Sequence, residues 1–334
     1  MANEFKTITV IITNHERKAY VKDAITSIIN SRISVPDEVE IILVMDYRDS
    51  DIEDFARNLG VRVFYTMEVD LGKKLEIGIR ECNGDIICFL DDDDMYNPEK
   101  IPYVKNLMED PEIAFVHNNI IQIGEDDTYN SLQKDTDVSG IDRIVNVKGM
   151  DTAEIGIMFG MRADWYLSSM SIRADVARKY ARTIGECRKS LDKVIFLVAL
   201  LECKKLVVSA KSLTYYRKHI SITGIKTNLV SFSISRLEFT RESLRTLSLM
   251  KDLSQDEGSP FIKAIELMRI KMQANALIYG EEKMSRKEII EKLKKAAVDY
   301  HCSECRKLIM IIRLGIISRK LAGSLYQKIQ TRGI

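Results

Sequence analysis

Short apolar runs alternate with stretches of helical periodicity through the first 90 residues of the chain. Four runs have the β-branched composition of buried strands, and they lie at residues 8–13, 39–45, 61–65 and 85–90. Three stretches repeat apolar residues at helical spacing, at residues 19–31, 52–59 and 73–82. Buried strands separated by helices predict an α/β fold with a mostly parallel sheet. Ligands of such sheets bind at the carboxyl ends of the strands, so polar residues there are the first candidates for function.

The pattern loosens after residue 94 and becomes helical in the last third of the chain. Further elements are predicted as strands at residues 113–123, 165–172 and 206–216, helices at 98–109 and 191–203, and a polar loop at 124–151. From residue 229 onward the periodicity is helical, and few Gly or Pro residues interrupt it. We therefore predict an α/β domain over residues 1–228 and an α-helical region over residues 229–334.

Composition and charge narrow the class of protein. The 334 residues include 50 basic and 49 acidic residues, a net charge of +1, so no nucleic-acid partner is expected. The longest strongly apolar run, residues 194–201, is far shorter than the roughly 20 residues that span a bilayer. The amino terminus lacks the pattern of a secretory signal, and six cysteines are sparse over this length, as in reduced cytosolic proteins. We expect a cytoplasmic protein, or one held at the inner face of the cell membrane.

Four consecutive aspartates, Asp91 to Asp94, follow the buried run that predicts the fourth strand. Adjacent carboxylates repel one another unless a cation lies among them. Hard oxygen ligands at this edge of a sheet suit Mg²⁺ or Mn²⁺, which would in turn hold a substrate diphosphate. The alternative is a solvated acidic loop. The spacing does not fit an EF-hand, and the chain contains no dinucleotide-binding or P-loop glycine motif.

Four segments, taken in order, resemble the family 2 glycosyltransferases of the GT-A fold: VIITNHERKAYVKDAITSI, EIILVMDYRDSD, GKKLEIGIRECNGDIICFLDDDDMYNPEKI and SLDKVIFLVALLECKKLVVSAKSLTYYRKHISIT. The resemblance covers residues 5–225, and its most specific part is the match of FLDDDDMYNP to the family's metal-binding Asp-x-Asp region. It implies a Rossmann-like GT-A catalytic domain with Mn²⁺ or Mg²⁺ as cofactor. The implied reaction is inverting transfer of a sugar from a nucleoside-diphosphate donor to a hydroxyl of a glycan or lipid-linked acceptor.

The resemblance assigns roles to residues at the predicted strand ends. Asp93 is implied as the main metal ligand with Asp91 nearby, and Asp92 as a contact to the donor ribose. The other residues implied at the nucleotide-sugar donor are Thr13, His15, Arg17, Asp46 and Lys73. For His15 the alternative is an ordinary surface histidine, and for Lys73 it is either a solvated helix start or a phosphate contact made by Lys74 instead.

The chain departs from the family in the turn after the second predicted strand. Asp46 matches the first residue of the family's Asp-Asp-Gly-Ser-x-Asp turn, but Tyr47, Arg48 and Asp49 replace the next three. The resemblance therefore does not identify the donor nucleotide.

The acceptor side and the catalytic base are implied by the later segments. Asp192, in the first turn of a predicted helix, matches the family's general base, and the alternative is a residue that stabilises the helix dipole. Arg217 is implied as a phosphate partner and His219 as a third metal ligand; a solvated basic turn is the alternative. Trp165, the only tryptophan, would stack on an acceptor sugar or pack in the core.

The carboxyl-terminal segment, residues 302–334, is basic and amphipathic, with seven basic residues and one acidic residue. Such a helix suits peripheral contact with an anionic membrane, which would fit a lipid-linked acceptor. The alternative is docking on the catalytic domain or on a second copy in a homodimer. The segment begins with Cys302 and Cys305, but no second Cys or His pair follows, so a zinc site is not expected.

Two other functions compete with glycosyl transfer. A metal-dependent phosphatase would also use aspartates after a strand. A non-catalytic nucleotide-sugar or glycan-binding module would explain the altered turn at residues 46–49.

Overall fold

The computed structural model describes residues 7–15, 18–31, 38–132, 140–218, 229–281 and 284–317. They divide into two compact units. One comprises the described residues within Met1–Lys148 and Ala163–His219, and the other those within Gly149–Arg162 and Ile220–Ile334. A short segment from the middle of the chain therefore belongs with the carboxyl-terminal helices. The domain boundary predicted after residue 228 stays a prediction.

The first unit begins with strands that alternate with helices, in the order β1 (Ile8–Asn14), α1 (Val21–Ser31), β2 (Val39–Met45), α2 (Ser50–Asn58), β3 (Arg62–Tyr65), α3 (Leu71–Glu81) and β4 (Ile86–Asp91). The strands are parallel and adjacent in the order β3-β2-β1-β4. Every residue of β1 is buried, as are six of the seven residues of β2. Parallel strands are normally covered on both faces, which explains why these runs are almost continuously apolar.

The chain continues through β5 (Met95–Tyr96), α4 (Lys100–Leu107), β6 (Ile113–Ile123), β7 (Asp142–Asn146), α5 (Thr152–Gly160), β8 (Met170–Arg173), α6 (Ala174–Lys179), α7 (Ala181–Glu186), α8 (Leu191–Glu202) and β9 (Lys205–Arg217). The sheet extends in the order β4-β8-β6-β9-β5, and β7 also pairs with β9. Strand β8 is antiparallel to both of its neighbours, whereas β9 is parallel to β6. The predicted α/β fold is confirmed, with the sheet mixed beyond β4.

The strand predicted at residues 165–172 is wrong in its first half. Residues Leu167–Ser169 form a 3-10 turn, and β8 begins only at Met170. Tyr166 has a φ of 63°, in the left-handed region that an extended strand cannot contain. Trp165 and Tyr166 are thereby turned out of the sheet into a loop.

The second unit is helical and contains α5 together with α9 (Leu229–Lys251), α10 (Pro260–Ile278), α11 (Arg286–Asp299) and α12 (Ser303–Ile317). Serine side chains cap two of these helices: Ser259 accepts from the N–H of Ile262, and Ser285 from that of Glu288. None of the helices in the described ranges combines the length and the apolar character that crossing a membrane requires.

Helix α3 approaches α7 closely at Gly72. A Cβ atom at this position would lie 2.1 Å from the carbonyl oxygen of Cys187 and 2.6 Å from that of Ile184. Both neighbours are backbone atoms, which cannot turn aside as a side chain can. Glycine is therefore required here for the helices to pack.

We expect Gly72→Ala to lower the free energy of unfolding by about 1–3 kcal/mol, because the methyl group must push two backbone segments apart. Urea unfolding followed by circular dichroism measures the change. Gly160→Ala is the control, since a Cβ there meets no atom within 4 Å. Equal stability of the two variants would contradict the close approach of α3 and α7.

Candidate active site

The carboxyl ends of β1, β2 and β4 lie side by side and bring several predicted site residues together. In the strand register, Asn14 at the end of β1 is opposite Met45 at the end of β2, and Thr13 is opposite Asp91. Thr13 is buried within β1. Strands β2 and β4 lie on opposite sides of β1, so the strand order changes direction at β1. Ligands of α/β sheets bind in the crevice at the carboxyl ends of the strands at such a point.

The four consecutive aspartates are not equivalent. One carboxylate oxygen of Asp92 accepts hydrogen bonds from the Asn14 side chain (2.6 Å) and the His15 backbone N–H (2.9 Å). Asp94 is turned inward: its Oδ2 accepts from Ser168 Oγ (2.6 Å) and its Oδ1 from the backbone N–H of Arg217 (3.0 Å). Burial, with the charge of nearby Asp91, raises the pKa of Asp94. Asp94 therefore anchors the loop from inside.

Arg217, at the end of β9, holds the same loop through its side chain. It is 1% exposed. Its guanidinium donates to four backbone carbonyl oxygens, those of Asp93 (2.9 Å), Gly124 (3.1 Å), Glu125 (2.9 Å) and Asp127 (2.5 Å). These partners differ from the diphosphate expected from the sequence. The contacts give Arg217 a positioning role, since it ties the aspartate loop to the loop after β6.

Asp46 lies at the centre of a second cluster. Its side chain is 2% exposed, and its Oδ2 accepts from Lys74 Nζ (2.7 Å) and contacts His15 Nδ1 (2.5 Å). Lys74 also donates to the carbonyl oxygen of Asn14 (3.0 Å). Lys73, by contrast, pairs with Glu76 on α3 (3.1 Å). Of the two lysines considered, Lys74 is the one that reaches the strand ends.

Two buried polar atoms between these clusters have no hydrogen-bond partner within the described part of the chain. They are Asn14 Oδ1 and Asp46 Oδ1. Burial and the nearby carboxylates of Asp92 and Asp49 raise the pKa of Tyr47 to about 12, so its hydroxyl stays protonated at neutral pH. Unsatisfied buried groups are rare in folded proteins, and their concentration at one edge is typical of a ligand site.

Asp192 lies in the first turn of α8, as predicted. Its Oδ1 accepts from the backbone N–H of Lys193 (2.9 Å), and its side chain is 25% exposed. The Lys193 ammonium lies 3.5 Å from Asp164 Oδ2 and 5.2 Å from the centre of the Trp165 ring. Ser190, which precedes the helix, makes no side-chain cap. The hydrogen bond from the Lys193 N–H to Asp192 is compatible with either a catalytic or a helix-stabilising role of Asp192.

Ser168 connects the Trp165 segment to the aspartate loop. Its hydroxyl accepts from the N–H of Asp91 (3.0 Å) and donates to Asp94. Three residues earlier, the carbonyl oxygen of Trp165 lies 3.0 Å from His117 Nε2. The segment that carries the predicted acceptor contact is thus fixed to the predicted metal loop.

Sequence reasoning missed a buried polar layer behind this loop. Lys100 donates to the carbonyl oxygen of Ser168 and to Thr214 Oγ1 (3.0 Å), and burial lowers the pKa of Lys100 to about 7. His117 is also buried, and burial lowers its pKa to about 4. Nothing in the local pattern around Ser168, Lys100 or His117 distinguishes these residues from ordinary surface positions.

Two predicted residues cannot be placed. Arg17 and His219 both lie outside the described residues. Among those that are described, no group of three or more His, Cys, Asp or Glu side chains is arranged to hold a metal ion.

The amino-terminal half of the chain matches a known family. Residues 9–168 match the family model described as glycosyl transferase family 2. These residues are therefore similar to a family 2 glycosyltransferase domain. The matched range includes the strand ends, the aspartate loop and Trp165, whereas Asp192 and Arg217 lie beyond it. The resemblance inferred from the sequence is confirmed.

Two curated relatives are proteins named as uncharacterized glycosyltransferases from Rickettsia felis and Rickettsia conorii. Each is 26% identical to the chain over 126 residues, which is 36% of this chain and 20% of the relative. The chain thus matches only about a fifth of the length of these relatives.

Solved structures share the fold at low sequence identity. S. aureus TarS has a TM-score of 0.57 at 12% identity, and the match covers 94% of this chain and 54% of TarS. The TarS 1–349 fragment in complex with UDP-GlcNAc scores 0.53 at 12% identity, covering 98% of this chain and 92% of the fragment. The mannosyltransferase PcManGT from Pyrobaculum calidifontis, in complex with GDP-Man and Mn²⁺, has a TM-score of 0.52 at 11% identity. This match covers 96% of this chain and 87% of PcManGT. The predicted GT-A fold class is confirmed.

The donor set at the aspartate loop fits a hard divalent cation. Mg²⁺ is commonly held by one or two carboxylates together with substrate phosphate oxygens, rather than by a complete protein cage. Asp91 and Asp93 are such carboxylates at the strand edge, while both oxygens of Asp94 already bind protein groups. Two protein ligands plus a diphosphate would therefore suffice.

We expect His117 to make the first unit sensitive to acid. Its pKa is lowered by burial to about 4, below the roughly 6.5 of an unfolded histidine. The contribution of the buried, neutral His117 to stability is therefore complete above pH 6.5. It is lost as the pH falls towards 4, and the free energy of unfolding decreases by at most about 1.4 kcal/mol per pH unit.

Urea unfolding of the wild type and of His117→Gln between pH 7.5 and 5 tests this expectation. The variant should lose stability less steeply with falling pH. His301→Asn, which replaces an exposed histidine, should keep the wild-type slope. Parallel slopes for the wild type and His117→Gln would contradict the linkage.

Proposed function

We propose that this chain is a metal-dependent, inverting glycosyltransferase that transfers a sugar from a nucleoside-diphosphate donor to an acceptor hydroxyl. One observation carries the proposal: within the range that matches family 2, the aspartate loop follows the parallel strand β4 and is braced from behind through Asp94. A solvated acidic loop would not need such bracing. The bracing supports a loop whose outer carboxylates must hold a defined geometry.

The donor would bind across the ends of β1, β2 and β4. In this arrangement Asp91 and Asp93 hold Mn²⁺ or Mg²⁺, which when bound neutralises charge on the diphosphate. Asp92, which is held by Asn14 and by the His15 backbone, would accept a hydrogen bond from the ribose. The matched structures include complexes with UDP-GlcNAc, UDP and GDP-Man, which supports a nucleoside-diphosphate sugar as the donor class.

The base side of the donor would meet the cluster around Asp46. Its Oδ2 is held by Lys74 and His15, which leaves Oδ1 as a buried acceptor without a described partner. Together with the Tyr47 hydroxyl, this oxygen offers a donor and an acceptor to a nucleotide. Thr13 lies beneath the site within β1 and supports it by packing.

Asp192 would act as the general base. Inverting transfer requires a carboxylate that removes the proton of the acceptor hydroxyl while its oxygen attacks opposite the leaving diphosphate. The bond from the Lys193 N–H orients this carboxylate, and the ammonium of Lys193 lies 3.7 Å from Asp192 Oδ2. The Trp165 ring, which is partly exposed beside Lys193, would stack on an acceptor sugar.

The acceptor would be a glycan or a lipid-linked molecule. Membrane contact through residues 302–334 remains a prediction, because residues 318–334 lie outside the described part of the chain. Within α12, the apolar side chains of Leu308, Ile311 and Ile312 are buried in the second unit, and Arg306 and Lys307 are exposed. The apolar face of that part of the segment therefore packs within its own unit, and a membrane would have only the exposed face to contact.

We expect Asp192→Asn to lower the rate of sugar transfer by about 100-fold or more, because the amide cannot accept the acceptor proton. Transfer is measured with a panel of nucleoside-diphosphate sugars and acceptor glycans in the presence of Mn²⁺. Asp175→Asn is a matched control: Asp175 also lies in a first helical turn and accepts from the next N–H at 2.9 Å.

The same panel separates the alternatives. Loss of activity in both variants would mean that Asp192 only stabilises its helix. Release of phosphate from simple phosphomonoesters by the wild type would favour a phosphatase. Nucleotide binding without turnover for any acceptor would favour a non-catalytic binding module.

We expect Asp93→Asn to weaken the Mn²⁺-dependent binding of nucleoside diphosphates. Binding to the native state raises the melting temperature, so UDP and GDP are compared with and without Mn²⁺ by thermal shift. The Mn²⁺-dependent part of the shift should disappear in this variant and persist in Asp126→Asn, which alters an exposed loop aspartate. An unchanged shift in Asp93→Asn would remove Asp93 from the metal site.

A further inference from the structure

Two cysteines meet at the start of α12, in the second unit and outside the proposed active site. Cys302 immediately precedes the helix and Cys305 lies in its first turn. The backbone N–H of Cys305 donates to the sulfur of Cys302 at 3.2 Å. Cys305 is fully buried, whereas Cys302 keeps 8% of its surface exposed. Residues three apart in a first helical turn lie on the same face, which brings the two thiols together.

The surroundings distinguish the two sulfurs. The thiol and the backbone N–H of Cys305 donate to Cys302 and lower its pKa to about 7, and the nearby ammonium of Lys271 acts in the same direction. Lys271 is itself held at 2.5 Å from Glu304, in the first turn of α12. The pKa of Cys305 is raised, first by its bond to Cys302 and then by burial. Cys302 is thus the better nucleophile, and Cys305 retains its proton.

All six cysteines are buried, but the other four have different surroundings. For Cys82, Cys88, Cys187 and Cys203, burial is the largest influence on the pKa and raises it. Buried thiols with raised pKa values are inert towards oxidants. These four cysteines therefore provide an internal comparison within the same chain.

The turn that presents the pair is tightly packed. The Tyr300 hydroxyl donates to the carbonyl oxygen of Lys263 at 3.0 Å. A Cβ atom on Gly156 of α5 would lie 1.7 Å from the carbonyl oxygen of Tyr300, so only glycine fits there. The pair is therefore held in one place, and its thiols do not depend on a loop movement to meet.

We propose that Cys302 and Cys305 are a redox-active pair that converts between a dithiol and an intramolecular disulfide by exchange with a low-molecular-weight disulfide. The Cys302 thiolate attacks one sulfur of oxidised glutathione, forming a mixed disulfide and releasing one glutathione thiolate. Cys305 then gives up its proton and attacks the Cys302 sulfur, which releases the second glutathione thiolate. Two electrons and two protons pass from the protein to yield two molecules of reduced glutathione.

The experiment titrates the native full-length chain with buffers of oxidised and reduced glutathione, followed by iodoacetamide and mass spectrometry. We expect the peptide that contains both cysteines to become lighter by about 2 Da and resistant to alkylation, and to recover on reduction. Before oxidation, Cys302 should be alkylated about tenfold faster than the other buried cysteines at pH 7, because a larger fraction is thiolate. Circular dichroism confirms that each sample is folded.

Two serine variants distinguish the roles of the sulfurs. Cys305→Ser should keep the fast alkylation and accumulate the mixed disulfide with glutathione, whereas Cys302→Ser should lose both. Alkylation of Cys302 no faster than that of the four other cysteines would overturn the proposal, as would the absence of the 2 Da loss in the wild type at every glutathione ratio. So would one bound zinc per chain that protects both thiols, since the pair would then be a metal site.

Discussion

The hydrogen bonds of the buried Asp94 carboxylate are the interactions on which the geometry of the aspartate loop depends. A buried carboxylate is costly unless both oxygens are bonded, and here Ser168 and the backbone N–H of Arg217 bond one oxygen each. These two partners come from the turn before β8 and from the end of β9. The loop after β4 therefore cannot move without breaking contacts to both segments. Lys100, buried behind Ser168, extends the same network.

This anchoring explains how four adjacent aspartates coexist in a folded protein. Their mutual repulsion is reduced because the carboxylates of Asp92 and Asp94 accept hydrogen bonds from different parts of the protein. Asp94 points inward, where both of its oxygens are bonded, and one oxygen of Asp92 is bonded to the end of β1. Arg217 adds a cation whose guanidinium holds the carbonyl oxygen of Asp93. The repulsion that remains can be relieved by a divalent cation between Asp91 and Asp93, as the proposed function requires.

The cluster around Asp46 is stabilised in a similar way, because its buried charge is also paired within the protein. Lys74 neutralises Asp46 where both are almost fully buried, and His15 contacts the same oxygen. The second oxygen of Asp46 stays without a described partner. Tyr47 stands where the family turn has its second aspartate, so at this position a hydroxyl group replaces a carboxylate. The nucleotide preference of this chain is expected to reflect that exchange.

The sequence by itself determined the parallel strands, the helices between them and the location of the aspartates at a strand end. These features follow from local periodicity, which burial on a sheet or helix imposes directly on the chain. Only the tertiary structure decided which aspartate faces inward, that Lys74 and not Lys73 reaches Asp46, and that Arg217 binds carbonyl oxygens. These contacts join residues 28 to 124 positions apart, and no local pattern encodes them. The turn at Trp165 was missed because one left-handed residue, Tyr166, ended a run whose composition favoured a strand.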